Sequence, residues 1–299
     1  MIDLNNLKSN SVVVIAGPTA SGKSGLALDL ALRYNGVVIN ADASQIYKGI
    51  SIISAAPSEE EKNQVEHLLY EIFEPTKNGT VSEWLRLVVE VIRNVWKRGK
   101  LPIVVGGTGF YIESLIKGVS PIPETRPETK EKVAKMFAEG GVSKVYEMLK
   151  NIDEKGAKRV NENDTTRVRR ALEIFWDTGV SIDEWFEKPM IKLLQEADFK
   201  VVALLPKLSD LEEKCSKRFD IMMKNGALDE VKNLLDLKLD ANLSAMKAIG
   251  VPELADYLRG KITLDEAVRL AKLHTRQYAK RQLTWFRNRL KNIAEYVVD

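Results

Sequence analysis

One cysteine, Cys215, stands in 299 residues. That count excludes an internal disulfide and any zinc site built on cysteines. Two histidines, His67 and His274, are too few for a histidine metal cage. No apolar run approaches the roughly 20 residues that span a bilayer. Residues 1–10 are polar and lack the apolar core of a signal peptide. Net charge is nearly absent too, since 45 Lys and Arg face 42 Asp and Glu. Internal repeats, low-complexity tracts and a long heptad seam are all missing, so a monomer is expected. Together these absences point to the cytosol.

What is present suits a globular chain with a large core, long enough for two lobes. The near-neutral total hides uneven patches. Arg167, Arg169 and Arg170 cluster, and Lys272, Arg276, Lys280, Arg281, Arg287, Arg289 and Lys291 crowd the C-terminal stretch. Such patches suit a polyanion. They read equally as solvated helix faces, and composition alone does not choose.

The strongest local signal is Gly17-Pro18-Thr19-Ala20-Ser21-Gly22-Lys23-Ser24. It follows the apolar run Val12–Ile15 and precedes an amphipathic stretch, so a phosphate loop stands between a strand and a helix. Its glycines let backbone N–H groups converge on an anion at a helix N-terminus. Lys23 supplies a point charge, and the Ser24 hydroxyl is placed to hold Mg²⁺. A di- or triphosphate ligand follows, but not its identity.

Further strands are expected at Gly36–Asn40, at 101–105 and from Phe199 to Pro206, with a helix over 82–97. Alternation of strand and helix predicts an α/β fold, a parallel sheet core flanked by helices. Pro121, Pro123 and Pro127 mark a break, and residues 128–192 carry helical signals without a convincing strand. The chain is therefore read as a P-loop NTPase-like core, 1–119 with 198–299, holding an inserted all-helical domain at 120–197. Helical patterns continue from the last strand to the C-terminus.

Asp42 follows the second strand, where ligands of open α/β sheets bind. It reads there as a base facing the phosphate or as a helix N-cap. The strand ending at Val105 carries no Asp or Glu, which counts against an ATPase. It opens instead into Gly106-Gly107-Thr108-Gly109, whose glycines suggest close approach of a ligand or a neighbouring strand. Arg218 reads as a phosphate ligand or a surface ion pair. Trp285, set among basic residues, reads as a nucleic-acid contact or as core.

Five segments then agree on one family: GPTASGKS at 17–24, DASQIY at 42–47, GGTGFYI at 106–112, NDTTRVRRALE at 163–173 and QYAKRQLTWFR at 277–287. In order and spacing the chain resembles the tRNA dimethylallyltransferases, also called tRNA isopentenyltransferases, from about residue 11 to 290. The resemblance implies that the phosphate loop holds dimethylallyl diphosphate with Mg²⁺. The dimethylallyl group would pass to the exocyclic amine of the adenine immediately 3′ to the anticodon, in tRNAs reading codons that begin with U. It implies Asp42 as the base and Lys23, Thr108 and Arg218 as its catalytic partners, with Thr19 on the diphosphate. It implies contacts to the tRNA anticodon stem-loop from Asp42, Ala43, Ser44, Gln45, Thr108, Lys130, Thr166, Arg167, Val168, Arg169, Arg170, Lys247, Arg276, Lys280, Arg281, Gln282 and Trp285. The inserted domain would grip the stem-loop.

Three segments depart from the family pattern. Asp42-Ala43 stands where Asp-Ser is usual, and Ile53-Ser54-Ala55-Ala56 where Gly-Thr-Ala-Lys is usual. Gly250-Val251-Pro252 lacks the Tyr and basic residue that usually follow the glycine. Rival readings are an adenylate isopentenyltransferase acting on free AMP, ADP or ATP, a small-molecule P-loop kinase, and a protein that only binds nucleotide or RNA. The first would need neither the insertion nor the Arg167–Arg170 cluster.

Overall fold

A computed structural model describes residues 4, 6–290, 294 and 296–298; Lys291 of the C-terminal basic stretch lies outside them. Among the described residues, six strands form one sheet: β1 (Ser11–Ala16), β2 (Gly36–Asn40), β3 (His67–Leu68), β4 (Leu101–Gly106), β5 (Asp198–Leu204) and β6 (Tyr296–Val298). Their order is β3-β2-β4-β1-β5-β6, and every pairing is parallel. β1, β2 and β4 are buried throughout. Strands covered on both faces read as continuous apolar runs, which is why Val12–Ile15 announces itself. The expectation of helix to the C-terminus is corrected by β6, which pairs through Val202↔Tyr296 and Leu204↔Val298. β3, of two residues, is too short to leave a periodic signal.

The helix Val81–Lys97 shows how the sheet is covered. Trp84, Leu85, Val88, Val89, Ile92 and Val95 form its buried face. The Thr80 side chain caps it, accepting from Glu83 N at 3.2 Å, and Gly99, at φ +65°, follows its end. The Trp84 Nε1 donates to Asn40 O at 2.9 Å. This ties the helix to the last residue of β2, two residues before Asp42.

The chain divides into two compact units, residues 1–116 with 193–299, and residues 117–192. The second contains helices Pro127–Ile152, Glu154–Lys158, Thr165–Thr178 and Ile182–Glu187. Its core packs Val133, Val145, Leu149, Val168 and Leu172. The first of these helices breaks its regular geometry at Gly141, at φ 68°. A single antiparallel bridge, Val119↔Ile191, joins the two ends of the unit. Among the described residues, no helix is long and apolar enough to cross a membrane.

Candidate active site at the strand ends

β1, β4 and β2 are neighbours, so the loops leaving their C-terminal ends are neighbours too. The loop after β1 runs into the helix Lys23–Arg33. Gly22, at φ +89°, makes the turn that lets the helix start there. Gly17 must approach β5 closely, because a Cβ would stand 2.7 Å from Leu204 O. Lys23 is folded back, its Nζ donating to Pro18 O at 3.2 Å. Burial pushes its ammonium down to about 8, with Asp42 opposing and Arg218 adding to the fall. The Ser21 hydroxyl is buried with no partner. A cation disfavoured by burial and an orphaned hydroxyl in one loop are both relieved by an anion.

Thr19 is held from two directions. Its Oγ1 accepts from Arg218 Nη2, and its N–H donates to Gln282 Oε1 at 2.9 Å. Arg218 rises from the helix Leu208–Lys224, and burial lowers its pKa. It is no surface ion pair, since its guanidinium donates into the phosphate loop. The single cysteine, Cys215, lies one turn earlier on the same helix with its thiol pushed up by burial.

Asp42 is not a helix N-cap, since the next helix begins at Ser51. Its Oδ1 accepts from Ser44 N at 3.0 Å and from Ser44 Oγ at 2.7 Å. Behind it stands Asn40, fully buried, a residue the sequence reading missed. Asn40 Oδ1 accepts from Asp42 N at 2.7 Å, and its Nδ2 donates to Asp42 O at 3.0 Å and Leu69 O at 3.1 Å. A buried amide with these partners fixes the direction of the turn. Thr108 Oγ1 accepts from Ala43 N at 2.8 Å, joining the β2 and β4 loops. A Cβ on Gly107 would stand 3.2 Å from Asp42 Oδ2, so glycine leaves the carboxylate its place. The phenols of Tyr70 and Tyr278 are pushed far up by burial first and by the Asp42 charge second.

Gln45 spends its amide on the chain itself, donating to Ser54 O at 3.0 Å and Ala55 O at 2.6 Å. The short helix Ser51–Ser54 that carries one of those carbonyls is held by Glu230. The Glu230 carboxylate accepts from Ile52 N and Ile53 N, both at 2.8 Å. No local pattern announces Glu230, because its partners lie 177 and 178 residues away.

The residues expected on RNA separate into groups. Lys247, Thr166, Arg276, Lys280 and Arg281 are exposed. Arg276 pairs with Glu212 at 2.5 Å. Lys280, Arg281, Thr284, Trp285, Asn288 and Arg289 line an open groove of about 400 Å³ on the helix Leu264–Arg289. Trp285 packs on Gly109, where a Cβ would stand 2.3 Å from its ring. Gln282, expected on RNA as well, is 6% exposed and turned into the phosphate loop.

In the helical unit, Val168 is corrected. It is fully buried in the unit's own core and has no surface to offer RNA. Arg167 is exposed, 3.5 Å from Asp164. Lys130 lies 3.8 Å from Glu124. Arg169 and Arg170 flank the buried Glu173 at 2.9 and 3.8 Å. Among the described residues, no group of three or more His, Cys, Asp or Glu side chains could hold a metal.

Comparison with known proteins gives a consistent result. A family model described as IPP transferase matches residues 45–289. The tRNA dimethylallyltransferase of Rickettsia conorii is 39% identical over 288 residues, 96% of this chain and 79% of that protein. The one from Zymomonas mobilis is 41% identical over 281 residues, 94% of this chain and 89% of that protein. Among solved structures, the tRNA isopentenylpyrophosphate transferase of Bacillus halodurans is similar with a TM-score of 0.65 and 33% identity, covering 97% of this chain and 89% of that one. A eukaryotic dimethylallyltransferase, described as acting on tRNA, gives a TM-score of 0.83 at 30% identity, covering 97% of this chain and 74% of that one. The chain belongs to the tRNA dimethylallyltransferase, or IPP transferase, family.

Proposed function

We propose that this enzyme transfers the dimethylallyl group of dimethylallyl diphosphate to the exocyclic amine of the adenine 3′-adjacent to the anticodon. The carrying observation is the convergence of three loops at the ends of β1, β2 and β4. They bring together Lys23 and the orphaned Ser21 hydroxyl, the oriented carboxylate of Asp42, and Thr108. The tRNAs are those reading codons that begin with U, and the protein acts as a cytoplasmic monomer.

An adenine amine is a weak nucleophile, because its lone pair is delocalised into the ring. Asp42 accepts the proton that the amine loses as its nitrogen bonds the allylic carbon. The bond from that carbon to the diphosphate oxygen breaks, and the electron pair leaves with diphosphate. Loop N–H groups, Ser21 and Lys23 meet the growing charge, and Arg218 adds positive charge from behind Thr19. Thr108 already accepts from Ala43 N, so its hydroxyl proton remains for a substrate oxygen. Ser44 donates to Asp42 from the position after Ala43, so a hydroxyl still supports the base.

The residues present fit Mg²⁺. This cation takes one or two protein oxygens and fills its shell with substrate phosphate and water. The exposed Ser24 in the first turn of its helix offers one such oxygen. When bound, Mg²⁺ would neutralise charge on the leaving diphosphate. The exposed cations Lys280, Arg281 and Arg289 on one unit and Arg167 on the other suit an RNA backbone. The target adenine must leave its stack to reach a carboxylate set among loops.

The test offers radiolabelled dimethylallyl diphosphate and Mg²⁺ to an anticodon stem-loop RNA and to AMP in parallel. Label is expected in the RNA alone. Asp42→Asn should lower transfer by about 10³-fold or more while stem-loop affinity stays within about twofold. Label in AMP and not in RNA refutes the RNA reading. Full turnover by Asp42→Asn refutes the base.

A further inference from the structure

The long helix Leu264–Arg289 reaches the catalytic loops through Gln282. Its Oε1 accepts from Thr19 N at 2.9 Å, and its Nε2 donates to Gly107 O at 2.8 Å. A donor on one side and an acceptor on the other leave the amide a single orientation. Both partners are main-chain groups, one from the loop after β1 and one from the loop after β4. Position 107 has to be glycine for this contact, since a Cβ would stand 2.5 Å from Nε2. Thr19 is meanwhile held at its hydroxyl by Arg218. The tip of the phosphate loop is thus fixed with its own side chain and its own N–H both engaged.

We propose that Gln282 is a positioning residue for the diphosphate, setting the tip of the phosphate loop and its distance from the Gly107-Thr108 turn, and does not read RNA. The proposal rests on the diphosphate reading of that loop given above. It divides one helix between two ligands. Successive residues point about 100° apart. Gln282 is buried against the loops, whereas Arg281, one residue earlier, is exposed along the outer groove. A residue from a basic, aromatic segment is therefore assigned to the small anion and its neighbour to the large one.

The experiment uses the full chain with Mg²⁺. Inorganic pyrophosphate is titrated by calorimetry, and stem-loop RNA by fluorescence anisotropy. Steady-state transfer gives kcat and the KM for dimethylallyl diphosphate. Gln282→Met keeps length and volume and removes both hydrogen bonds. It should raise the pyrophosphate Kd and the prenyl diphosphate KM about tenfold and lower kcat as well, with stem-loop Kd within about twofold. Gln282→Glu should weaken pyrophosphate further, because it sets a carboxylate against the Gly107 carbonyl and beside the anion. Arg281→Ala should show the reverse pattern, with RNA affinity reduced and pyrophosphate affinity kept.

Unchanged pyrophosphate affinity in Gln282→Met overturns the proposal. So does a loss of stem-loop affinity as large as the loss for pyrophosphate. If Gln282→Met does not fold, Gly107→Ala displaces the same amide from the opposite side and must reproduce the pyrophosphate defect. Unaltered affinity there overturns the proposal equally. A wild-type protein that binds pyrophosphate but prenylates nothing removes the functional reading and leaves this one standing. One that binds no pyrophosphate removes both.

Discussion

Lys23 makes the sharpest prediction, because its chemistry has a sign. Burial lowers its ammonium from 10.5 to about 8. The unfolded chain then keeps this proton through a pH range in which the folded protein has lost it. Stability without ligand should therefore rise with pH between about 8 and 10.5. The full effect is at most about 3 kcal/mol, and less for a side chain that is only half-buried. Diphosphate affinity should move the other way, since only the charged amine attracts the anion. With a free-enzyme value near 8, apparent Kd should rise about tenfold from pH 7 to pH 9. The ligand is a non-hydrolysable sulfur analogue of the prenyl diphosphate, whose last proton leaves at about pH 6, so its own charge is constant. Calorimetry in two buffers of different ionisation enthalpy, at pH 8, should show net proton uptake on binding. Lys23→Arg keeps its charge throughout and should flatten the profile. A flat wild-type profile, or an unchanged slope in Lys23→Arg, refutes the argument that this amine is held close to neutrality for an anion.

The helical unit gives two further predictions from neighbouring arginines. Arg167→Ala removes an exposed cation and should reduce the slope of log affinity for stem-loop RNA against log salt by about one, without altering the melting temperature; an unchanged slope takes Arg167 off the RNA. Arg169→Ala leaves the buried Glu173 with the more distant Arg170, 3.8 Å away, and should cost about 2 kcal/mol in urea unfolding. Unaltered stability would show that Glu173 does not depend on its closer partner.

Those two arginines also show where sequence reading stops. On the helix Thr165–Thr178, Val168 and Leu172 stand four apart and share the buried face. Read as a motif, Thr166–Arg170 is one RNA-contacting block. Read by helical period, Val168 must turn inward while Arg167 stays out. The period was available in the sequence and gives the correct division. The phosphate loop, β1, β2, β4 and β5 were legible for a similar reason: each is set by its own local run of residues. Asn40, Glu230 and Gln282 were not. Asn40 looks like the polar end of a strand, Glu230 like any acidic residue on a helix, and Gln282 like part of a basic segment. Glu230 and Gln282 act through main-chain partners that the fold brings near, and no spacing along the chain encodes those meetings; Asn40 joins such a partner, Leu69 O, to local bonds with Asp42.

The glycines after β4 carry this point into the chemistry. The sequence leaves open whether Gly106, Gly107 and Gly109 make room for a ligand or for protein. Added Cβ atoms would meet Ala41 O at 2.1 Å, Gln282 Nε2 at 2.5 Å and the Trp285 ring at 2.3 Å. All three approaches are made by protein, one by the β2 loop and two by the long C-terminal helix. Thr108, between them, then accepts from Ala43 N and brings the loop of the base into the same frame. A catalytic carboxylate and a leaving-group site must be held together to within a fraction of an ångström to act on one bond. Here the strand ends alone do not set that distance. A helix that begins more than 150 residues later does, by seating Gln282 and Trp285 where the chain has no side chains. The helix that presents lysine and arginine outward therefore also holds the reacting loops in register, and changes at Gly107 or Gly109 should act on chemistry before they act on RNA.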